Sequence, residues 1–245
     1  MIRDSDITIT IVFDNYPFGD DLKTLWGFSC YIETPGKTIL FDTGSNGRVL
    51  LENMQKLHKD VKKIDTLFLS HHHWDHIGGF DSVIELNSNI DIIAPSSLSK
   101  LLIKDLRSMG NSVKVVGENG SAVCNDIYTT GMMGDEVEEQ SLIIDSDAGL
   151  IVITGCAHSG IVGIAKQAQR MLNKKIALLL GGFHLMRSDE AEIDSVIREL
   201  KTMDIDYLCP THCTGDMAID KFRNTFTETF IAGGAGKTIR MPLKP

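Results

Sequence analysis

The segment Ser70-His71-His72-His73-Trp74-Asp75-His76-Ile77-Gly78-Gly79 comes directly after a short apolar run at residues 66–69. His71 and His73 are two residues apart, so in an extended backbone their side chains point the same way and can bind one cation through imidazole nitrogens. Asp75 and His76 follow where the chain must turn, and they can face a second ion. A run of this kind directly after an apolar strand is improbable by chance. The segment therefore predicts a metal site.

The remaining residues of this segment have other expected roles. His72 should point away from His71 and His73, and we interpret it as an orienting group or a bystander. Gly78 and Gly79 let the backbone pack closely as the loop leaves the site. The alternative interpretation of the whole segment is a polar turn, or a core cluster satisfied by hydrogen bonds.

The other histidines follow the same distribution along the chain. Seven of the eight histidines, all except His58, lie at or just after the end of a predicted strand. The apolar runs at 150–153, 176–180 and 207–209 are followed by His158, His184 and His212. Ligands that converge on one ion are best presented from the rim of a rigid sheet. This distribution favours binding over simple packing.

Hydrophobic periodicity predicts strands in the first half of the chain and alternating strands and helices in the second half. Alternation at 7–13 predicts a half-buried strand, and a second strand with Trp26, Phe28, Cys30 and Ile32 leads through a Pro35-Gly36 turn into 38–41. Further strands are expected at 66–69, 113–116, 127–130, 141–144, 150–153 and 176–180, and 207–209 should be the last.

Apolar stripes at helical spacing predict helices at 48–58, from Leu98 to near Gly110, and at 161–172. A further helix should begin at Ser188 as the N-cap, with Asp189 and Glu190 near the positive end of its dipole. No Ser/Gly-rich linker, repeat or low-complexity stretch divides the 245 residues. We therefore expect one domain, 1–245, of mixed sheets covered by helices.

Composition excludes several classes of protein. Hydrophobic residues make up 42% and charged residues 23%, which is typical of a globular protein and far from the composition of disordered chains. A formal net charge of -9 disfavours a broad electrostatic contact with nucleic acid or an anionic membrane. Five cysteines without disulfide spacing, no apolar leader and no membrane-length apolar segment indicate a cytoplasmic protein.

Taken together, these motifs resemble the metallo-β-lactamase superfamily, whose hallmark is the His-x-His-x-Asp-His signature. The resemblance implies an α/β (α+β) fold, the metallo-β-lactamase αβ/βα four-layer sandwich. Phe41-Asp42-Thr43-Gly44 resembles the first motif of the family, in which the Asp braces the metal loop. The segment at 154–160 resembles the third motif and makes His158 the third ligand of the first metal, after His71 and His73. The segment at 210–215 resembles the last motif, and places His212 with Asp75 and His76 on the second metal.

The chain departs from the family at the position of a bridging Asp. No acid follows the strand that ends Gly181-Gly182-Phe183-His184-Leu185, and His184 is the nearest donor. His184 is therefore expected to replace the bridge, to bind one ion alone, or to hydrogen-bond the substrate. Asp75 is expected to bind the second ion and orient the nucleophile, so Asp75 and His184 are the candidate catalytic residues.

Three segments narrow the resemblance to one subgroup. Gly-Gly-Phe-His-Leu, Thr-His-Cys-Thr-Gly and Asp14-Asn15-Tyr16-Pro17 are similar to segments of dihydropterin-ribofuranosylaminobenzene 5'-phosphate synthase-like proteins. This subgroup implies a substrate with a phosphate and a pterin-like ring. Trp26, Phe28 and Tyr16 could form a wall for such a ring, although strand core explains the first two equally well, and Arg187 could bind a phosphate.

The resemblance implies a metal-dependent hydrolase in which a hydroxide, generated by two divalent ions, attacks an ester, phosphoester or related bond. Zinc suits an imidazole-rich site, and manganese or iron is also compatible with these ligands. A pterin transferase is the main alternative, and a non-catalytic ligand sensor on the same fold is another. A diiron oxygen or nitric oxide reductase is disfavoured because such proteins carry Glu where this chain has His73. The expected partner is a small-molecule substrate, with no nucleic acid and no membrane, and the oligomeric state stays open.

Cys156 and Cys213 flank His158 and His212. Either thiol could be oxidisable or act as a minor metal ligand. A small buried side chain is the favoured interpretation of both, because free cysteine is among the most buried residue types.

Overall fold

A computed structural model describes residues 1–243 of the chain. The strands are β1 (Thr8–Phe13), β2 (Ser29–Thr34), β3 (Lys37–Phe41), β4 (Thr66–Phe68), β5 (Asp91–Pro95), β6 (Ser112–Val116), β7 (Ser121–Cys124), β8 (Ile127–Thr129), β9 (Leu142–Asp145), β10 (Leu150–Thr154), β11 (Ile176–Gly182), β12 (Ile205–Thr211) and β13 (Thr238–Arg240). The helices are α1 (Gly47–Lys56), α2 (Trp74–Ile77), α3 (Phe80–Leu86), α4 (Lys100–Ser108), α5 (Ile161–Leu172), α6 (Glu190–Lys201) and α7 (Asp216–Phe226).

The strands form two mixed sheets. The first has the order β13-β1-β2-β3-β4-β5-β6, and the second has the order β12-β11-β10-β9-β8-β7. In the first sheet β3, β4, β5 and β6 are parallel. Strand β2 is antiparallel to both β1 and β3, so β1 runs in the same direction as β3. In the second sheet β10, β11 and β12 are parallel.

The two sheets pack face to face and are covered by helices on their outer faces. Alternate residues of β10 show this arrangement, since Ile151 and Ile153 pack between the sheets and Leu150 and Val152 pack against the helices. Helices α1, α3 and α4 cover the first sheet, and α5, α6 and α7 cover the second. This confirms the predicted four-layer αβ/βα sandwich.

The fold brings the predicted ligands to one edge. The strands β1, β3 and β4 end at Phe13, Phe41 and Phe68, and the chain continues into Asp14, Asp42 and the histidine segment. The strands β10, β11 and β12 continue into the segments that carry His158, His184 and His212. Because parallel strands place their carboxyl ends at the same edge, side chains from both sheets meet there.

Several expectations about single elements were wrong. The first strand is buried on both faces rather than half-buried, since it lies between helices and the second sheet. Trp26 precedes β2 and is 37% exposed. The N-cap of α6 is Asp189 rather than Ser188, because its carboxylate accepts the Glu192 N–H in a capping box.

The strand expected at 207–209 is longer and does not end the fold. Strand β12 is followed by α7 and by β13, which pairs with β1 and extends the first sheet. Helix α3 and strand β5 were also not predicted. Across residues 1–243 no helix combines the length and the apolar character needed to cross a bilayer.

Candidate metal centre

The histidine segment places His71 and His73 side by side. The chain leaves β4, runs extended through this segment and begins the short helix α2 at Trp74. His71 is fully buried and His73 is half-buried, and His71 Nε2 lies 3.1 Å from His73 Nδ1. The geometry therefore agrees with the expectation that these two side chains face the same way.

His158 joins this pair from the loop after β10. Its ring centroid lies 4.9 Å from that of His71 and 4.9 Å from that of His73. The donor atoms of the three histidines all lie within 4.8 Å of one another, and His158 Nε2 is buried without a hydrogen-bond partner. A buried ring nitrogen without a partner is costly unless something binds it, and a metal ion fits this requirement.

A second donor group lies beside the first and contains Asp75, His76, His212 and Cys156, all of them buried. Asp75 Oδ2 lies 3.7 Å from His76 Nε2 and 3.5 Å from His212 Nε2. His212 Nε2 is also buried without a hydrogen-bond partner. The position of the Cys156 sulfur in this group was not expected from the sequence, which favoured a purely structural role.

Asp42 determines the orientation of two of these histidines. Its carboxylate accepts hydrogen bonds from His76 Nδ1 at 2.7 Å and from Ser70 Oγ at 2.6 Å. Because Ser70 gives its only hydroxyl proton to Asp42, its oxygen accepts from His71 Nδ1 at 2.9 Å. These contacts fix the Nδ1 atoms of His71 and His76 against oxygen acceptors, so that the Nε2 atoms of both rings face the site.

Asn15 orients the ring of His212 as Asp42 orients that of His76. Its Oδ1 accepts a hydrogen bond from His212 Nδ1 at 2.7 Å, which leaves Nε2 free toward Asp75. The preceding Asp14 is buried and accepts a hydrogen bond from Thr211 Oγ1 at 2.7 Å. Burial raises the pKa of Asp14 to about 6, although the nearby His212 opposes this shift.

Glu139 holds the loop that carries Cys156 and His158. Its buried carboxylate accepts the backbone N–H groups of Gly155 at 2.9 Å, Cys156 at 2.8 Å and His158 at 2.9 Å. It also accepts the Thr154 hydroxyl at 3.0 Å. Four hydrogen bonds to one charged group fix the backbone from which two donor side chains extend.

The pKa values of the histidines differ across the site in the metal-free chain. Burial lowers the pKa of His158 to about 4 and also lowers that of His71. Burial would lower the pKa of His76 too, but the adjacent Asp42 carboxylate outweighs it and raises this pKa to about 9. At neutral pH His71 and His158 are therefore neutral imidazoles, whereas His76 carries a proton that an ion bound there would have to displace.

His184 and His72 lie at the margin of the two donor groups. The ring of His184 is 4.3 Å from that of His158, and its donor atom falls within 4.8 Å of donors on Cys156 and His158. The Cys213 thiol raises the pKa of His184. His72 lies outside the donor groups, and its Nδ1 is 3.2 Å from Ser97 Oγ.

The backbone at the site is unusual. Four of its residues other than glycine have left-handed φ angles, namely Asp42 at 54°, Ala157 at 59°, His184 at 54° and His212 at 49°. All four lie in the segments that follow parallel strands. Such angles are uncommon for residues with a Cβ and concentrate at functional sites.

Comparison with known proteins assigns the family. A profile described as the metallo-beta-lactamase superfamily matches residues 27–170, which is more than half of the chain. The chain belongs to the metallo-beta-lactamase superfamily. It is 31% identical, over 87% of its length, to the 7,8-dihydropterin-6-methyl-4-(beta-D-ribofuranosyl)-aminobenzene-5'-phosphate synthase of Methanocaldococcus jannaschii, and the match covers 88% of that protein.

Solved structures of other proteins have the same fold. The crystal structure of Tm1679, a metal-dependent hydrolase of the beta-lactamase superfamily, superposes with a TM-score of 0.80 at 24% identity, covering 95% of this chain and 98% of the other. Human tRNase Z, short form, superposes with a TM-score of 0.66 at 14% identity, covering 96% of this chain and 100% of the other. These likenesses confirm the metallo-beta-lactamase architecture.

In this metallo-beta-lactamase fold a cavity of about 500 Å³ opens over the donor groups. Trp26, Trp74, Met186 and Arg187 line it, together with donor residues of the site. The Trp74 side chain is 63% exposed and that of Met186 is 46% exposed. Large exposed apolar side chains around a polar floor are typical of a ligand site.

Of the three aromatic residues that the sequence offered as a wall for the substrate ring, Phe28 and Tyr16 do not line the cavity. Phe28 is fully buried between the sheets, and Tyr16 donates a hydrogen bond from its hydroxyl to Asp216 at 2.7 Å. Trp26 does line the cavity, with its ring 4.8 Å from that of His212. The sequence could not separate these aromatic residues, because both Trp26 and Phe28 fit the alternation of the second strand.

Proposed function

We propose that this chain is a metal-dependent hydrolase that acts on a phosphoester or related bond of a small molecule with a flat apolar portion. The observation that carries the proposal is the position of the cavity. Members of both donor groups, His73 and His158 of the first and Asp75 and Cys156 of the second, line it together with the apolar side chains of Trp26, Trp74 and Met186. Apolar walls with a few convergent polar groups favour a small-molecule substrate over a macromolecular one.

The donor set fits two divalent ions. His71, His73 and His158 would hold the first, and Asp75, His76 and His212 the second. The buried Nε2 atoms of His158 and His212 without partners support this assignment. Ions bound there would acidify a water molecule and neutralise charge that develops on a substrate oxygen. Zinc, manganese and iron are the candidates, since imidazole and carboxylate ligands are compatible with all three.

The remaining residues of the cavity would position the substrate. Trp26 and Trp74 would contact the flat portion, and Arg187 would pair with a phosphate through its fork of donors. Asp135 and Glu136 lie on another side of His158 and His184, so an anionic group is expected to approach from the Arg187 side. His184, which is exposed and has a raised pKa, would donate a proton to the leaving group.

The test uses the metal-free chain reloaded with zinc, manganese or iron in turn. We expect hydrolysis of bis(p-nitrophenyl) phosphate or of a p-nitrophenyl ester that depends on added metal. His158→Asn should reduce turnover to the background rate, whereas His58→Asn, at an exposed histidine outside both donor groups, should not. Metal-independent turnover, or full activity of His158→Asn, would count against the proposal.

A transferase is the second candidate, and the relative that favours it is the synthase of Methanocaldococcus jannaschii. In that case the same residues would activate a departing diphosphate on a pterin, and an aryl-ribose phosphate would accept the pterin group. Mass spectrometry of products formed with and without the aryl acceptor separates the two reactions. A joined product would support the transferase, and unchanged hydrolysis in both reactions would support the hydrolase. Tight substrate binding without turnover would instead indicate a ligand sensor.

A further inference from the structure

Cys156 differs from the other cysteines of the chain in what its sulfur contacts. Its Sγ lies 3.2 Å from His76 Nε2, and the residue is 4% exposed. Cys30 and Cys209 are also buried, but they belong to the apolar core between the sheets. Cys156 is the only cysteine within the donor groups of the described residues 1–243.

The backbone holds the Cys156 sulfur toward the site. Glu139 accepts the N–H of Cys156 at 2.8 Å, and the left-handed φ of 59° at Ala157 turns the chain immediately afterwards. Cys213, the nearest other cysteine, instead directs its Sγ to the Cys156 carbonyl oxygen at 3.5 Å. Both thiols therefore lie beside site nitrogens, Cys156 next to His76 and Cys213 next to His184, but only the Cys156 sulfur belongs to the group with Asp75, His76 and His212.

The separations in the group with Asp75, His76, His212 and Cys156 are close to those of a coordination shell. Tetrahedral zinc with bonds of about 2.0 to 2.3 Å keeps neighbouring ligand atoms about 3.3 to 3.8 Å apart. The observed separations are 3.2 Å between Cys156 Sγ and His76 Nε2, 3.5 Å between Asp75 Oδ2 and His212 Nε2, and 3.7 Å between Asp75 Oδ2 and His76 Nε2. The three separations lie within about 0.1 Å of this range, and all four donors, which come from three loops, lie within 4.8 Å of one another.

Cys156 also belongs to a further donor group, with His158 and His184. Its sulfur falls within 4.8 Å of the donors of Asp75, His76 and His212, and separately within 4.8 Å of those of His158 and His184. No acidic residue of 1–243 is a member of the group with His158 and His184. Cys156 is therefore the residue that these two groups share.

We propose that the Cys156 thiolate is a metal ligand that completes the set of Asp75, His76 and His212. The inference rests on the proposed function, because it requires an ion at this centre. On coordination the thiol proton passes to solvent and one metal-sulfur bond forms, with no change of oxidation state. A sulfur ligand makes the centre selective for zinc, cobalt or iron over magnesium and manganese.

The test loads the metal-free full chain with Co²⁺ and records the near-ultraviolet thiolate-to-cobalt charge-transfer band. The wild type and Cys213→Ser should both show the band, and Cys156→Ser should lose it. In the zinc form, X-ray absorption should show a zinc-sulfur distance of about 2.3 Å that Cys156→Ser lacks. Circular dichroism of each variant verifies that it is folded.

Cys156→Ser could lose the band simply because it no longer binds cobalt, and Cys156→Asp tests this. This change supplies an oxygen ligand, so we expect cobalt to bind without the charge-transfer band and the preference for zinc over manganese to fall. A band that survives in Cys156→Ser, or that disappears in Cys213→Ser, overturns the assignment of the ligand. If the wild type binds two cobalt ions without showing the band, sulfur ligation is rejected and the proposed function is not. If the wild type binds no cobalt, the proposed function is rejected as well.

Discussion

Asp42 contacts no cavity, yet it controls which ring nitrogen of two histidines faces the metal centre. Its two oxygens accept hydrogen bonds from Ser70 N, Ser70 Oγ and His76 Nδ1. All of these groups are buried, so no water can replace the carboxylate as acceptor. The importance of Asp42 therefore lies in orientation rather than in chemistry.

Asp42→Asn tests this role with almost no change in volume. The amide must direct N–H donors at His76 Nδ1 or Ser70 Oγ, which favours the wrong His76 tautomer. We expect zinc affinity to fall by about 10- to 100-fold, as is typical when an orienting partner of a metal-binding histidine is lost. Competition with a chromophoric chelator measures this affinity. Asp91→Asn, at an exposed strand residue, is the control, and equal affinities in both variants would contradict the role.

The sequence predicted the donor residues better than the residues that orient them. His71, His73, Asp75 and His76 are contiguous, and they form a recognisable motif. Glu139 lies 16 to 19 residues before the three backbone N–H groups that it binds, and no local pattern marks it. Asn15 contacts a histidine 197 residues away, which only the tertiary structure reveals.

At the level of elements, strands and helices with a strong period were predicted within one or two residues. Helix α5 was predicted at 161–172 and occupies Ile161–Leu172. Strand β13 has three residues, too few for a periodic pattern, and β5 ends in Pro95, which lacks the N–H of a regular strand. These elements depend on neighbouring strands for their hydrogen bonds, so their own sequence carries little signal.

The loop after β10 packs so closely against the first sheet that Gly155 admits no side chain. A Cβ there would overlap Ser70 Oγ and lie 3.0 Å from Asp42 Oδ2 and 3.1 Å from Glu139 Oε1. Gly155→Ala should therefore destabilise the metal-free chain by about 1 to 3 kcal/mol and weaken zinc binding, because the buried polar groups must move apart. Urea unfolding and zinc titration measure these two effects.

Gly163→Ala is the matched control for that change. Gly163 lies inside α5, and nothing lies within 4 Å of a Cβ placed there. Alanine in an open helical position should raise the free energy of unfolding by about 0.5 to 1 kcal/mol. The two substitutions thus have opposite expected signs, and a loss of stability in both would show that close packing at Gly155 is not the cause.

For the whole molecule, the important feature is that both sheets contribute to each donor group. In the first group, His71 and His73 follow a strand of the first sheet, and His158 follows a strand of the second sheet. In the second group, Asp75 follows the first sheet and His212 follows the second. Metal ions bound there would link the sheets and stabilise the folded chain by mass action. The fold class could be predicted because the motif order matches the family, whereas this cross-sheet geometry required the structure.

Removal of metal should therefore lower the thermal midpoint. At a free zinc concentration one hundred times the dissociation constant, stabilisation of about 2.7 kcal/mol is expected. For a chain of this size that corresponds to about 5 to 11 °C in Tm. Calorimetry with and without chelator measures the shift. His158→Asn should reduce it and His58→Asn should keep it, and an unchanged Tm after complete removal of metal would contradict the link between the sheets.

The left-handed angles at Asp42, Ala157, His184 and His212 have a consequence for how this protein can evolve. Each such angle costs roughly 1 to 2 kcal/mol for a residue other than glycine. Selection for thermal robustness would relax these turns, whereas selection for catalysis would preserve them. At the carboxyl ends of the strands, selection for stability and selection for catalysis therefore favour different residues. Substitutions that raise thermal stability are more readily accepted in the outer helices.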